Sequence, residues 1–402
     1  MSKRGFTLIE LLAVIVILAV ILIIAIPQVL KAVDNSRKSA YIKNEQMVVN
    51  VAQTYLASNS GKAPVNEGHI TVVSLSQLQE NNLIGDIKDV RDKQTICTGY
   101  ILIINIGSNE YDYQAYLNCG ENYQTEGYTT ENLQEVDVLV VAGGGGGSGS
   151  ISGGGGAGGL IFEEAYNINF INSVSVGAGG SRVENLQPGN NGENSMFGSL
   201  VAFGGGRGAT GGSAGNFPAE SGGSGGGGQR YASPNNPNGA NAVAGQGHNG
   251  GSILVESRGY AGGGGAGGEG HPEQSNNSGG DGGIGLYFGE IFSNIYGDEG
   301  WFAGGGGGSS NDFSTVGKGG KGGGGTGGRS GEAENGMPNT GGGGGGGYLY
   351  ASGQGGSGGS GIVLIRYPGH QRANGGIVST YNGYTIHAFT EVGESIFEVL
   401  EL

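Results

Sequence analysis

The stretch VDVLVVAGGGGG, residues 136–147, joins six mostly apolar residues directly to alanine and five glycines. The stretch GGSGGSGIVLIRYP, residues 355–368, has the reverse order, with glycine and serine first and the apolar residues after them. Short apolar runs rich in valine and isoleucine predict buried strands. These two strands bracket most of the glycine in the chain, because 81 of its 94 glycines lie between residues 142 and 361.

The bracketed region has too little apolar side chain for a conventional core, and its glycines come in blocks instead of at every third position, which excludes collagen. Ordered glycine must pair through its main chain, since it brings no side chain to bury. Apolar islands recur between the blocks, at 160–162, 174–176, 200–203, 253–255 and 301–303. A flexible linker needs no such islands, so we expect packed, polyproline-II-like glycine helices.

The strings VDVLVVAGGGGG, SVSVGAGG (173–180) and WFAGGGGG (301–308) resemble the glycine-rich domain of phage tail-fibre adhesins and some bacterial surface proteins. The resemblance implies a polyglycine-II sandwich whose loops recognise a surface receptor. The segment GGIVSTYNGYTIHAFT (375–390) resembles the β-segment that usually precedes such a domain. Here it follows the domain, as either a permuted completion of the sheet or the remnant of a second copy.

The N-terminus carries a second signal, in which Lys3, Arg4 and Gly5 lead into an apolar run from Phe6 to Ile26 that Thr7 and Glu10 interrupt. As a helix this run is about 31 Å long, enough to span a bilayer. The residues GFTLIELL (5–12) resemble the class III signal of type IV prepilins and pseudopilins. The resemblance implies cleavage after Gly5 by a prepilin peptidase, N-methylation of Phe6 and packing of the helix into a filament with other pilin subunits.

Glu10 also has a physical rationale, because a carboxylate in an apolar span is costly without a partner. The natural partner is the new α-amino group of Phe6 on a neighbouring subunit, which gives Glu10 a role in assembly. The alternative is a plain single-pass anchor with Glu10 near the membrane surface. Helical periodicity continues to about Ser58 and predicts a helix end before Gly61.

Residues 62–130 have ordinary composition and predict a short helix at 75–81 and a hairpin of strands 100–106 and 111–117. A turn centred on Ser108 sets Ile103 opposite Tyr113, Ile101 opposite Ala115 and Cys97 opposite Cys119. Two cysteines on one face of an exported domain predict a disulfide worth about 3 kcal/mol. A pair of reduced buried cysteines is the alternative, and two thiols without a nearby histidine disfavour a metal site.

The fold class expected is α+β, with a long N-terminal pilin helix, a small β-rich head and a glycine-rich β/polyglycine-II sandwich. The expected segments are a leader at 1–5, a pilin helix at 6–58 with its membrane part at 6–26, a head at 59–130, a glycine-rich domain at 136–368 and a C-terminal β-segment at 369–402 that completes the head.

Charge and motifs argue against other functions. The net charge is −15 for the chain and −11 for residues 136–402, which disfavours nucleic acid as a partner. Neither Lys318 nor Lys321 has a phosphate-binding loop around it, and GxGxxG matches are expected by chance in such a sequence. The five histidines are scattered, so we expect no enzyme, no cofactor and no metal.

These patterns predict a filament subunit that is a single-pass protein of the inner (cytoplasmic) membrane before assembly and part of a cell-surface filament afterwards. Its glycine-rich domain would bind a surface glycan or protein through rigid aromatic side chains on loops. The candidate ligand-binding residues are Tyr231, Tyr348, Tyr350 and Trp301, with a capping role as the alternative for Trp301. The rival function is a purely architectural pilin or pseudopilin of a secretion or DNA-uptake system.

Overall fold

A computed structural model of the 402-residue chain divides into two compact units, residues 1–131 with 401–402, and residues 132–400. The structure describes residues 8–108, 110–131, 133–149, 151–182, 187–211, 217–229, 238–253, 259–273, 278–311, 315–329, 331–348 and 354–401.

The first unit begins with the long helix α1, Leu8–Ser58, which contains Pro27. Its apolar side chains between Leu8 and Val33 are exposed, whereas Tyr41, Val48, Ala52, Tyr55 and Leu56 are buried. The buried set recurs at intervals of three, four and seven residues, so one face of the C-terminal half packs on the head. The helix ends at Ser58, as its periodicity predicted.

The head of this unit contains β1 (Ile70–Ser74), α2 (Leu75–Glu80), β2 (Thr98–Asn105) and β3 (Tyr111–Asn118), with 3-10 turns at Ser60–Lys62 and Gly120–Asn122. The strands form an antiparallel sheet in the order β1-β2-β3. Helix α2 starts at a capping box, in which the backbone N–H of Gln77 donates to Ser74 Oγ at 3.1 Å and the backbone N–H of Ser74 donates to Gln77 Oε1 at 3.0 Å.

The hairpin register predicted from the sequence is confirmed, because Ile103 pairs with Tyr113 and Ile101 pairs with Ala115. Ile101 and Ile103 are fully buried and point into the core under α1. Ser108 sits in the left-handed region with φ of 53°, at the centre of the predicted turn.

The second unit contains the remaining elements: β4 (Glu135–Val141), β5 (Leu160–Asn167), β6 (Ile171–Val176), β7 (Ser195–Phe197), β8 (Leu200–Ala202), β9 (Leu286–Tyr287), α3 (Gly289–Phe292), β10 (Trp301–Phe302), β11 (Ile362–Pro368), β12 (Ala373–Asn374), β13 (Ile377–Tyr381), β14 (Tyr384–Phe389) and β15 (Gly393–Val399). Two five-stranded sheets form, in the orders β13-β14-β11-β4-β5 and β12-β15-β6-β7-β8, and β9 pairs with β10 in a small ribbon. A long helix followed by antiparallel sheets confirms the α+β class.

The bracketing strands lie side by side at the centre of the first sheet, where Leu364 of β11 pairs with Leu139 of β4. Alternate residues face the second sheet, among them Val138, Val140 and Ile365, and pack against Phe197 and Phe397. The opposite face, which includes Leu139 and Leu364, packs against α3 and β10. This sheet is therefore buried on both faces, which accounts for the continuous apolar runs in its strands.

The C-terminal segment pairs within this second unit, so the prediction that residues 369–402 complete the head is wrong: the strands of this segment extend the two five-stranded sheets instead. Strand β14 lies beside β11, with Ile365 opposite His387, and β15 lies beside β6, with Ile396 opposite Ser173. An Asn382-Gly383 turn joins β13 to β14, and both residues have positive φ (50° and 79°), as a two-residue hairpin requires. Residues 373–399 thus supply strands to both sheets.

Glycine segments extend from the ends of these strands and form a bundle. The segment Gly153–Gly159 is its best-connected member, because each of its seven successive N–H groups donates a hydrogen bond of 2.8–3.0 Å. The acceptors repeat with a period of three and belong to three segments, namely 203–209, 261–264 and 341–344. A threefold period of donors is what a polyproline-II-type helix dictates.

Carbonyl groups of the same segment accept hydrogen bonds from three further segments, through Ala142 and Gly145, through Ser224 and Gly227, and through Gly306. Six glycine helices therefore surround this central one in a hexagonal arrangement, and every backbone donor along it is satisfied without a side chain. A Cβ added to Gly155 would overlap the carbonyl oxygen of Gly145, and one added to Gly154 would overlap that of Gly306. The close packing thus depends on the absence of side chains.

Candidate functional site

The N-terminal candidates fall at the start of α1. Gly5 and Phe6 lie outside the described residues, whereas Glu10 lies in the first turn of α1. The mean hydropathy of the helix reaches 3.4 over an 18-residue window, and none of that window is buried by the rest of the chain. By length and composition this helix can cross a membrane. Its exposed apolar surface would also suit a helix–helix contact between subunits.

A polar and aromatic cluster fastens α1 to the head. The Tyr41 hydroxyl donates to Asp89 Oδ2 at 2.7 Å, and the Tyr41 ring stacks on Tyr123 with centroids 4.1 Å apart. The Tyr123 hydroxyl donates to Glu45 Oε1 at 2.8 Å. Burial, together with that bond to a carboxylate, raises the pKa of Tyr123 to about 12. The cluster therefore keeps both hydroxyls protonated while they hold the helix.

Asp89 stays ionised within this cluster. Burial raises the pKa of its carboxyl, but hydrogen bonds from the Tyr41 hydroxyl and from the backbone N–H groups of Asp92 and Arg91 outweigh burial and lower the pKa below its ordinary value. A charged acceptor strengthens each of these bonds.

The two cysteines form a disulfide between Cys97 and Cys119, with Cα atoms 4.2 Å apart. Both residues are buried in the core of the head, beside Ile101 and Leu117. The bond closes the hairpin at the end away from the Ser108 turn, as the shared face predicted.

The glycine bundle has two different ends. At one end the segments continue into the strands of the two five-stranded sheets, which share one core and are called the sandwich from here on. The other end, here called the loop end, contains Ser148, Ser152, Thr210 and Ser309 and the other residues that adjoin the undescribed segments of this unit. These four small polar residues are buried. Their hydroxyls join neighbouring segments, as when Ser309 Oγ donates to the carbonyl of Ser152 at 3.0 Å.

The two aromatic candidates that the structure describes, Tyr348 and Trp301, do not share a site. Tyr231 and Tyr350 lie outside the described residues. Tyr348 is half-buried at the loop end, with its ring 6.4 Å from that of Tyr260. Trp301 is in β10 at the strand end, where its ring lies 5.3 Å from that of Tyr287 and 4.6 Å from Lys321 Nζ. At about 3.1 Å per residue, the glycine helices separate Trp301 from Tyr348 by roughly 20 Å.

Two groove-forming surfaces flank the bundle, and sequence reasoning missed both. One, of about 1170 Å³, is lined by residues that include Asp281, Lys318, Arg329 and Glu332. The other, of about 1020 Å³, is lined by residues that include Asn238, Asn249 and Glu269. Within the described residues, no group of three or more His, Cys, Asp or Glu side chains is placed to hold a metal ion.

Comparison with protein families finds two matches. The glycine-rich domain model matches residues 123–368, and the prokaryotic N-terminal methylation motif matches residues 1–26. No curated protein and no solved structure matches the chain. The methylation motif implies processing by a prepilin peptidase, and it indicates a structural subunit in preference to an enzyme. The chain belongs to the glycine-rich domain family and joins that domain to the N-terminal segment of a type IV pilin-like protein.

Proposed function

We propose that the protein is a filament subunit of the type IV pilus or pseudopilus class whose glycine-rich unit attaches the filament to a surface. The observation that carries the filament role is the match of the methylation motif to residues 1–26, which leads directly into a helix whose apolar side chains from Leu8 to Val33 are exposed. Such a helix needs lipid before assembly and neighbouring helices after it.

In this proposal, Gly5 is the processing site, Phe6 becomes the new N-terminus, and the Glu10 carboxylate pairs with the α-amino group of Phe6 on a neighbouring subunit. An ion pair in an apolar filament core is costly to break by removing one partner, because the other charge is then left buried alone. Loss of Glu10 should therefore act on assembly, and loss of Gly5 on cleavage.

Two substitutions separate these steps. Gly5→Leu should leave an uncleaved membrane protein, and Glu10→Ala should give a processed subunit that enters filaments poorly. Asp34→Ala is the matched control, since Asp34 is an exposed carboxylate further along the same helix. Immunogold labelling of sheared filaments and mass spectrometry of the N-terminus provide the readouts. Normal incorporation of both the Gly5→Leu and Glu10→Ala subunits would refute the roles of Gly5 in processing and of Glu10 in assembly, and absence of the unmodified protein from the filaments would refute the filament role.

The adhesive role is supported by the construction of the second unit. A hexagonal glycine bundle is a stiff support, and a stiff support lowers the entropy that loops at its end lose on binding. Tyr348 lies at that end, and the sequence places Tyr231 and Tyr350 in segments that the loop-end residues flank. Trp301 packs on Tyr287 and Lys321 at the strand end, which suits a capping role better than contact with a receptor.

Attachment of cells to their native surface tests this role. The triple change Tyr231→Ala, Tyr348→Ala and Tyr350→Ala should weaken attachment and leave the melting temperature of the protein nearly unchanged. Tyr287→Ala is the control, because it removes a partly exposed tyrosine at the opposite end of the same unit. If attachment survives the triple change, or if the unit unfolds, the architectural function replaces the adhesive one.

A further inference from the structure

Most of the basic side chains that the structure describes in the glycine-rich unit contact a carboxylate or an aromatic ring. Arg207 pairs with Glu220 at 2.7 Å, Arg366 with Asp137 at 2.9 Å and Arg182 with Glu332 at 3.3 Å. Lys321 lies over the Trp301 ring and Arg372 over the Tyr367 ring. Of the basic residues that the structure describes in this unit, Lys318 and Arg329 remain, and neither makes an ion pair, a ring contact or a side-chain hydrogen bond.

Both of these side chains are exposed, and both line the same groove of about 1170 Å³. They stand on adjacent antiparallel segments, 315–321 and 324–329, which the hydrogen bond from Gly327 N–H to the Gly317 carbonyl joins at 2.9 Å. Counted from that bond, their positions are offset by about three residues, or roughly 9 Å along the helix axis. Two cations at such a separation match a ligand with repeated charges better than a single ion.

The two carboxylates that line this groove are already engaged. Glu332 is the partner of Arg182, and Asp281 Oδ1 accepts a hydrogen bond from the backbone N–H of Lys318 at 2.7 Å. The lining holds two basic and two acidic side chains and is therefore neutral, on a segment of chain whose net charge is −11. The groove is thus a local exception to an acidic surface.

The glycine helix formed by residues 315–321 also presents a backbone N–H group to the groove. Along 315–321, the N–H groups of Gly317 and Gly320 donate to the neighbouring segment at Gly308 and Gly305. The N–H of Gly319 is one position out of that register, and it donates to no acceptor among the described residues, although Gly319 lines the groove. Backbone N–H groups beside cations are typical of sites that bind anions.

We propose that this groove binds an anionic surface polysaccharide, through carboxylate or phosphate groups repeated along the polymer. The guanidinium of Arg329 fits either group with two parallel hydrogen bonds, and the Lys318 ammonium supplies a point charge one turn away. Single contacts with exposed cations are weak, but a filament presents many copies, which raises the overall avidity. The groove lined by Asn238, Asn249 and Glu269 is of similar volume and holds no basic residue among its described lining. The groove with Lys318 and Arg329 is therefore the candidate anion site because of its basic side chains and not because of its shape.

This inference rests on the proposed adhesive function, but its test is made on the purified full-length chain in detergent. The immobilised probes are polygalacturonate for carboxylates, inorganic polyphosphate for phosphates, and dextran as a neutral polymer. We expect retention on at least one polyanion, none on dextran, and progressive loss of retention as NaCl is added. Retention on polygalacturonate alone assigns the ligand to acidic sugars, and retention on polyphosphate alone assigns it to phosphate-bearing polymers.

The double variant Lys318→Gln/Arg329→Gln should lower the affinity for the polyanion about tenfold, which is 1.4 kcal/mol. The matched control is Lys88→Gln/Lys93→Gln, which removes the same charge from exposed lysines of the head. Equal weakening by the control, equal retention on dextran, or no retention on either polyanion would overturn the inference. Cell attachment reports on the adhesive function separately: attachment without polyanion binding defeats this inference alone, and polyanion binding without attachment defeats the adhesive function alone.

Discussion

The β-sandwich and the glycine bundle of the second unit are continuous along the chain but are held together in opposite ways. In the sandwich, side chains such as Phe197, Phe397 and Tyr367 are fully buried and contact one another edge to face. In the bundle, the main chains themselves pack, and N–H groups are directed to three neighbours in turn. The sandwich is stabilised chiefly by burial of apolar area, and the bundle by backbone hydrogen bonds at close range.

The two regions should therefore tolerate opposite kinds of substitution. A side-chain core loses stability when atoms are removed and often accepts a replacement of similar volume. A main-chain core has no atoms to remove, and every added atom must displace a neighbouring backbone. Four predictions test this comparison or extend it to the head.

The largest effect is expected at the centre of the bundle. Gly155→Ala places a Cβ on the carbonyl oxygen of Gly145, and since that atom belongs to a backbone surrounded by other backbones, it cannot move aside cheaply. We expect a loss of about 5 kcal/mol or more in the free energy of unfolding of the glycine-rich unit. Urea unfolding followed by pulse proteolysis provides the measurement.

Gly331→Ala is the matched control within the same unit, because an added Cβ there meets nothing within 4 Å and the backbone is not in the left-handed region. It should change the stability by less than about 0.5 kcal/mol. Equal effects of Gly155→Ala and Gly331→Ala would mean that main-chain packing does not stabilise the bundle.

How far the sequence predicts this fold depends on where side chains carry information. The pattern around Tyr41, Val48 and Tyr55 predicted the end of α1, and the alternation around Ile101 and Ile103 predicted the hairpin register. In the bundle, the blocks predicted glycine helices, but no residue within Gly153–Gly159 indicated which six segments would surround it. Glycine carries no pattern of faces, so the neighbours are chosen by chain connectivity and main-chain geometry.

The second prediction concerns the sandwich. Phe397→Ala removes a fully buried ring that contacts Phe197 and His387, with centroids 5.9 Å and 5.1 Å away, and should cost about 4 kcal/mol through the cavity it leaves. Phe397→Leu should cost less than half as much, because most of the volume is kept. The same urea experiment measures both. A leucine variant as unstable as the alanine variant would show that the sandwich is as intolerant as the bundle.

The third prediction extends the comparison to the head, where a covalent bond supplements side-chain packing. Cys97→Ala/Cys119→Ala should lower the stability of the first unit by about 3 kcal/mol, because the unfolded chain then regains the freedom that the closed loop removes. The glycine-rich unit should keep its own stability, since it contains no cysteine. Non-reducing peptide mass spectrometry of the exported protein provides a direct check, and free thiols at both positions would contradict the bond.

The candidate sites were less predictable than the fold. The motif around Gly5 and Glu10 is specific because a basic leader, a glycine, an aromatic and an acid occur together. Lys318 was considered in the sequence only as a phosphate-loop lysine, and its juxtaposition with Arg329 depends on the pairing of Gly317 with Gly327, which no side-chain pattern specifies. A count of basic residues against nearby acids would have been the available signal. The aromatic candidates Tyr231 and Tyr350 stay predictions, because they lie outside the described residues.

The smallest effect is expected from acid, which should lower the stability of the second unit through a histidine beside the sandwich. His370 follows β11, and burial, together with the positive charge of Arg372, lowers the pKa of its imidazole to about 4, against about 6.5 in an unfolded chain. Between those two values the unfolded chain binds a proton that the folded chain does not, so stability is lost as the pH falls from about 6.5 towards 4. Because the ring is half-buried and partly screened by solvent, we expect a loss of about 1–2 kcal/mol.

The substitution His370→Gln should remove this acid-dependent loss of stability, whereas His69→Gln in the head should leave it in place. The quantity to compare is the difference in stability between pH 7 and pH 4.5 for each protein, in which the contributions of other titrating groups cancel between variants. If the His370→Gln protein keeps the full difference in stability between pH 7 and pH 4.5, the acid sensitivity arises from other groups. The sandwich is then no more sensitive to acid at this position than the glycine bundle.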